Sequence, residues 1–367
     1  MLMVPSEAQA AVFVAPNHEL EFRKFPVVAA PDGGAIVRVL CCTICRSDLH
    51  TWRGRRSGPT PAILGHEIVG EVAALGRGLT HDILNQPIGV GDRVTWTLHS
   101  CCGRCYYCAV EQLPMKCQSL KKYGHDSCEL SPYLQGGFAE YCVIDSGTRV
   151  VKLPAGLPTV VAAPANCGVA TAVAACDAAG LRHSESVLIL GAGALGCYAA
   201  AVARHAGCRN VIASDVVPER LQFIRRCGAT DTIDAAQLDG GEFVQRARRL
   251  TGGLGVDCAL EVAGVPATIE PALHALRKGG RLIEVGCCFP GARVSLDMSI
   301  VLSNLLSIRG VHNYDARHLS EAVRFLAENL DAVPFREIVG AEVPFSEINR
   351  AIRLAEAGEV MRVAVTF

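Results

Sequence analysis

Short apolar runs bounded by turn residues dominate the first third of the chain. Residues 35–41, 68–75, 90–97 and 138–144 are rich in Val, Ile and Ala and are divided by Gly, Pro and Asp. That pattern predicts the strands of a small, barrel-like β domain. Residues 81–90 read as an insertion at a turn. From about Pro158 the rhythm changes. Residues 160–179 are Ala-rich and long enough for a helix, broken at Asn166-Cys167-Gly168. Apolar strands are then predicted at 186–190, 210–214, 256–261, 280–286 and 306–310, with 230–233 a weaker one. Helices fall between them at 194–205, 218–227, 243–251 and 266–276. Strand and helix in alternation argue for a doubly wound parallel sheet. From Val311 to Phe367 the elements are mixed again, and neither an internal repeat nor a low-complexity segment is seen.

Composition narrows the class. A chain of 367 residues exceeds one ordinary core, so two domains are expected. Half of the residues are hydrophobic and 19% are charged, which suits a well-buried globular fold. The formal charge is −1 with no long run of one sign, so neither nucleic acid nor a membrane surface is an expected partner. The sequence shows no basic-then-apolar leader and no apolar run of about 18 residues, and a cytoplasmic location is expected. Eighteen cysteines fit a reducing compartment. Cys176, Cys197, Cys208, Cys227 and Cys258 stand singly in apolar surroundings and read as small buried hydrophobes.

One glycine motif has the right context. Gly191-Ala192-Gly193-Ala194-Leu195-Gly196 follows an apolar strand and opens a helix. There the first glycine permits the tight turn, the second lets backbone approach a pyrophosphate and the third lets helix pack on strand. Asp215 ends the next strand, where a carboxylate accepts hydrogen bonds from the ribose hydroxyls and repels a 2′-phosphate. This points to NAD; Arg220 keeps NADP open, and a plain turn-forming role for Asp215 is the alternative.

The cysteines carry a second signal. Cys102, Cys105, Cys108 and Cys117 lie within one short stretch, and four thiolates close a tetrahedral shell with no open position, a structural zinc site. Disulfides or free core thiols are the competing readings. Even spacing selects Cys102 over its neighbour Cys101. Upstream, Cys45 and His66 with a third soft ligand would hold a catalytic Zn²⁺ with one position open. Ser47 and His50 offer the hydroxyl and imidazole of a proton relay. Asp48 is placed to receive the other N–H of His66 and fix its tautomer. Taken singly, each has a plainer reading as a core histidine, a turn hydroxyl or a surface charge.

Together these motifs resemble the zinc-dependent, medium-chain alcohol dehydrogenase family, over nearly the whole chain. The resemblance implies a GroES-like, β-rich catalytic domain over residues 1–165 with a zinc lobe at about 101–118. A Rossmann NAD-binding domain over 166–311 and a return of 312–367 to the catalytic domain complete the expected α/β layout. It implies two Zn²⁺ per chain and makes Cys167 the third catalytic ligand, where polyol and threonine dehydrogenases commonly carry glutamate. Glu67 is implied to lie beside the metal, and Arg46 to meet the cofactor pyrophosphate. Val285, Gly286 and the segment Val311-His312-Asn313-Tyr314 follow strand ends and are expected at the nicotinamide and substrate. The gap from Cys108 to Cys117 is one residue longer than the family's commonest form.

The implied reaction is hydride transfer between a small alcohol or carbonyl substrate and NAD. Ser47 would take the hydroxyl proton and pass it, by way of the ribose, to His50 and solvent. Relatives are homodimers or homotetramers, and the same is expected here. Cys-Gly-Arg-Cys, Leu113–Cys117, Lys122–His125, Pro164–Cys167 and Gly310–Tyr314 look like the subgroup associated with phosphonate metabolism. That implies a hydroxyalkyl phosphonate or related anionic alcohol, with Arg53, Arg55, Arg56, Lys121 and Lys122 either as anion contacts or as solvated surface charge. A carbonyl reductase or polyol dehydrogenase is the alternative within the fold. A non-catalytic nucleotide-binding protein is the alternative outside it; loss of Cys45, His66 or Ser47 would mark it, and all three are present.

Overall fold

A computed structural model describes residues 4–367. The chain divides into two compact units. The first takes the N-terminal part up to Ala170, Tyr314–Leu330 and Phe335–Phe367; the second takes Thr171–Asn313 and Asp331–Pro334. The expected borders at residues 165 and 311 compare with 170 and 313 in the structure.

The first unit is built on an eight-stranded sheet. Its main path runs Ala341–Pro344, Val363–Thr366, Ala35–Thr43, Glu67–Leu75, Arg93–Ser100 and Lys121–Lys122. Tyr141–Ile144 also pairs with Ala35–Thr43, and Thr148–Lys152 with Arg93–Ser100. Ala35–Thr43 is buried at seven of its nine positions, on both faces of the sheet, which is why its sequence, AIVRVLCCT, is apolar at almost every position. A three-stranded sheet, Glu21–Pro26, Glu7–Phe13 and Ala62–Ile63, packs into the same core around Trp96 and Phe138.

The second unit holds six parallel strands in the order Asp231–Asp234, Asn210–Asp215, Ser186–Leu190, Val256–Glu261, Leu276–Glu284, Ser307–Gly310. In chain order that is 3-2-1-4-5-6, the doubly wound arrangement. The order reverses between Ser186–Leu190 and Val256–Glu261, and the crevice beyond their carboxyl ends is where such sheets bind ligands.

Several elements depart from the sequence reading. The strand expected at 280–286 is Leu276–Glu284, and its predecessor is a 3₁₀ turn at Pro266–Thr268 followed by a helix at Ile269–Ala275. The strands expected at 90–97 and 138–144 are Arg93–Ser100 and Tyr141–Ile144. Glu7–Phe13, Glu21–Pro26 and the helix Arg46–Trp52 were not legible, because each is short and its polar positions blur the period. Residues 81–90 form a turn gathered around Asp82. One carboxylate oxygen accepts the Leu84 and Gln86 N–H groups and the other accepts the N–H of Lys152. The five singly placed cysteines named above are all buried.

Candidate active site

Three strand ends and one short helix assemble the first candidate metal centre. Thr43 ends one strand, Glu67 opens its antiparallel partner, and Arg362 precedes the strand paired on the other side. The helix Arg46–Trp52 starts at once, with Cys45 as its N-cap, and Asp48 Oδ2 accepts the Cys45 N–H at 2.9 Å. Asp48 is 2% exposed, and Oδ1 accepts from the Gly65 N–H (3.2 Å) and faces His66 Nδ1 at 3.0 Å. One carboxylate therefore fixes the cysteine, the approach to the histidine and the ring itself. Gly65 sits at φ 84°, and a Cβ there would meet the Phe138 ring at 2.7 Å, so glycine is required before His66.

With Nδ1 turned to Asp48, His66 presents Nε2 to the centre. The ligand atoms of Cys45, His66, Glu67 and Cys167 all lie within 4.8 Å of one another. Two sulfurs and one imidazole nitrogen at that spacing fit a tetrahedral Zn²⁺, and Glu67 stands close enough to share it. Ser47 Oγ is 3.3 Å from His66 Nε2, so its hydroxyl borders the metal position. Hydrogen bonding from the Cys167 thiol, then His66, brings the Cys45 thiol well below its usual range, and Cys167 is raised in consequence. Burial disfavours a charged His66, but Asp48 and the Cys45 thiolate outweigh it and raise its pKa.

Around these groups lies a layer that the sequence did not disclose. Glu67 is fully buried; one oxygen accepts from Thr43 Oγ1 and Arg362, while the other, Oε1, has no hydrogen-bond partner among the described residues. Burial pushes its carboxyl up to about 7 in spite of Arg362. An orphaned anionic oxygen beside two thiols is what a cation would complete. Asn166 ties Cys167 to His66: its Nδ2 donates to the carbonyls of His66 (3.0 Å) and Trp96 (2.9 Å), and its Oδ1 accepts from Ile68 N–H. Glu67 and Arg362 are 295 positions apart, and no local pattern joins them.

The lobe cysteines form the second cluster. Sulfur separations are 3.5 Å for Cys105–Cys108, 3.9 Å for Cys105–Cys117 and 3.5 Å for Cys117–Cys102. A tetrahedral zinc with Zn–S of about 2.3 Å sets sulfurs roughly 3.8 Å apart, so the set fits. Backbone N–H groups of Cys102 and Ser119 point at Cys117 Sγ, both at 3.3 Å. The Gln118 N–H leads in lowering the Cys105 thiol to about 6. Cys101 is excluded; its sulfur points to the Gly147 carbonyl. The longer gap before Cys117 turns at Gln112, φ 56°, without opening the cluster.

In the second unit, Gly191 (φ 108°) turns the chain out of Ser186–Leu190 into the helix Ala194–His205. A Cβ on Gly196 would lie 1.9 Å from the Gly191 carbonyl oxygen, whereas one on Gly193 would meet nothing within 4 Å. The close-packed glycine holds helix to strand; the open one leaves room for a phosphate over the helix N-terminus. Ala194 and Leu195 open that helix. Asp215 braces the turn: Oδ2 accepts the Ala192 N–H at 2.7 Å, and Oδ1 accepts those of Val216 and Val217. Arg220 follows on the helix Pro218–Arg226. Val285 and Gly286 donate their N–H groups to the Glu261 carbonyl, and Val311 donates to that of Glu284, so all three sit at strand ends. His312 is exposed.

Known proteins match over most of the chain. A model of the alcohol dehydrogenase GroES-like domain matches residues 31–155, and one of the zinc-binding dehydrogenases matches residues 194–328. An L-threonine 3-dehydrogenase of Pyrococcus horikoshii is 32% identical over 98% of both chains. The chain belongs to the zinc-binding dehydrogenase family. A 5-exo-hydroxycamphor dehydrogenase of Pseudomonas putida is 28% identical, again over 98% of each chain. The crystal structure of an alcohol dehydrogenase from Thermotoga maritima superposes with a TM-score of 0.92 at 29% identity, covering 98% of this chain and 99% of that one.

Within this dehydrogenase some expected contacts fall elsewhere. Tyr314, expected at substrate, is 1% exposed in the first unit; its hydroxyl donates to the Asn166 carbonyl and accepts the Leu98 N–H. Arg53 is paired with Glu356, and Lys121 with Asp145. Arg55 is exposed. His50 lies on the helix that carries Ser47, and burial, then Arg55 and Arg46, lower its pKa, favouring a neutral ring able to accept a proton.

Proposed function

We propose that this dehydrogenase transfers a hydride between a small polar alcohol and NAD, with Zn²⁺ at Cys45, His66 and Cys167 and a second Zn²⁺ in the cysteine lobe. The observation that carries the reading is the Ser47 hydroxyl, 3.3 Å from the nitrogen that His66 turns to the three-ligand centre. A structural site has no use for a relay hydroxyl at its ligand. When bound, zinc supplies Lewis acidity at the substrate oxygen and NAD accepts the hydride. Ser47 takes the hydroxyl proton and His50, on the same helix, receives it on the way to solvent. Asp48 holds His66 in the tautomer that leaves Nε2 for the metal, and Glu67 with Arg362 sets the charge behind it. Gly193 admits the pyrophosphate, and Asp215 selects NAD over NADP.

The relatives are named for unlike substrates, so the family leaves the alcohol open. The five local segments noted above support a hydroxyalkyl phosphonate or a related anionic alcohol. The test is transfer of deuterium from a carbinol-deuterated alcohol to NAD by the zinc-loaded protein. Ser47→Ala should retain its zinc and lose about 100- to 10,000-fold in kcat. Equal transfer by zinc-free protein, or none from any alcohol in a broad panel, would sink the reading.

A further inference from the structure

Glu261 and Glu284 end neighbouring parallel strands of the second unit and stand in register. In-register side chains of adjacent strands point to the same face, about 4.8 Å apart. The pairing therefore sets two carboxylates side by side at the carboxyl end of the sheet. Like charges so placed destabilise a sheet. The chain nevertheless makes room for both. Glu261 is fully buried, and its Oε1 accepts the N–H groups of Ala263 at 3.1 Å and Gly264 at 3.0 Å. A Cβ at Gly286 would fall 2.4 Å from Glu261 Oε2. Glu284 Oε1 accepts the Cys287 N–H at 2.7 Å, which curls the chain back after the strand and brings that thiol to the pair. One oxygen from each carboxylate and the Cys287 sulfur all lie within 4.8 Å of one another, as the ligand atoms at the two zinc sets do.

Glu284 Oε2 is sealed from solvent and has no hydrogen-bond partner among the described residues. Burial, then Glu284, pushes the Glu261 carboxyl up to about 6, and burial, then Glu284 and Glu261, pushes the Cys287 thiol up to about 12. A shared proton would relieve the two carboxylates alone. A divalent cation relieves both, takes the orphaned oxygen as a ligand and draws the proton off the thiol. The donor set gives the class of cation. Two hard oxygens and one soft sulfur suit Zn²⁺ or Co²⁺ and disfavour Mg²⁺ and Ca²⁺, which take oxygen ligands. Three protein ligands leave one position open, so the four-thiolate lobe fills first.

We propose that Glu261, Glu284 and Cys287 form a third divalent-cation site, for zinc or a metal of similar affinity for sulfur, at the carboxyl end of the parallel sheet. It depends on neither of the other two centres and not on the hydride-transfer reading. On binding, Cys287 loses its proton to solvent and its thiolate becomes the third ligand.

The test adds Co²⁺ to the zinc-loaded protein and follows bound cobalt, retained zinc and the thiolate-to-cobalt absorption band. Wild type should take up one cobalt per chain, with the sulfur band, while keeping its zinc. Cys287→Ser should lose the band. Glu284→Gln should weaken cobalt binding about 100-fold or more, beyond the cost of losing an outer hydrogen bond to a ligand. Cys288→Ser, which changes the exposed neighbouring thiol, should bind as wild type does. Without cobalt, Glu284→Gln should melt no lower than wild type, because it removes one of two facing carboxylates. With cobalt, wild type and Cys288→Ser should gain thermal stability and Glu284→Gln should not. Cobalt uptake only in exchange for zinc, a sulfur band that survives in Cys287→Ser with zinc retained, or equal loss in the Cys287 and Cys288 variants would overturn the site.

Discussion

Asp48 does more than any other single side chain to define the proposed metal centre, since it holds Cys45, Gly65 and His66 at once. Its replacement by Asn keeps the shape but removes the charge that orients the imidazole. Asp48→Asn should therefore weaken zinc binding at the first centre about 10- to 100-fold, read by chelator competition, and leave the lobe zinc unaffected. Unchanged affinity would show that packing alone orients His66. The sequence placed Asp48 beside Cys45 as the partner of His66, while the helix start that makes it an i, i+3 carboxylate to Cys45 came from the structure. Arg362 and Thr43 behind Glu67 were not legible, since only strand pairing brings those three residues together.

At the scale of elements, the two inner glycines of the nucleotide turn make opposite predictions. Gly193→Ala should fold and melt like wild type, because its Cβ meets open space, yet lose NAD binding in a fluorescence titration. Gly196→Ala should lower stability, because its Cβ meets the Gly191 carbonyl and helix and strand must part. Stability loss in both would mean that the motif is structural throughout. The other end of the central strand is tied by Arg281, which donates to Glu185 and to the Ala179 carbonyl at the end of the preceding helix. Burial would raise the Glu185 carboxyl, but Arg281 and Arg182 outweigh it and hold it below the usual range. The unfolded chain then takes up that proton first as pH falls. The pair's contribution is complete above about pH 4.3 and is lost as pH drops through the folded value. Arg281→Met should cost about 1.5–3 kcal/mol at pH 7. In denaturant melts at about pH 3 its deficit relative to wild type should shrink.

For the whole molecule, metal content separates the two centres. Wild type should carry two zinc ions per chain; Cys45→Ala should lose one and stay folded but inactive. Cys105→Ala should lose the other and become less stable as well, because four thiolates with no water ligand couple metal binding to the fold of the lobe. Elemental analysis with thermal melts on the three proteins decides it, and a Cys45→Ala protein that keeps both ions would refute the first centre. Among the described residues no single helix is long and apolar enough to cross a membrane.

Local order in the sequence determined the alternating second unit, the glycine turn, the four-cysteine lobe and the candidate ligands Cys45 and His66. Each is written over a few neighbouring residues, through spacing, turn chemistry or apolar period. Tertiary structure alone decided the rest. It returned residues 335–367 to the first unit and set Arg362 against Glu67. It buried Tyr314, and it gave Arg53 and Lys121 acid partners. A charge in a sequence carries no sign of its partner; strand pairing and chain return bring distant residues into contact, and only then does a lysine differ from its neighbour.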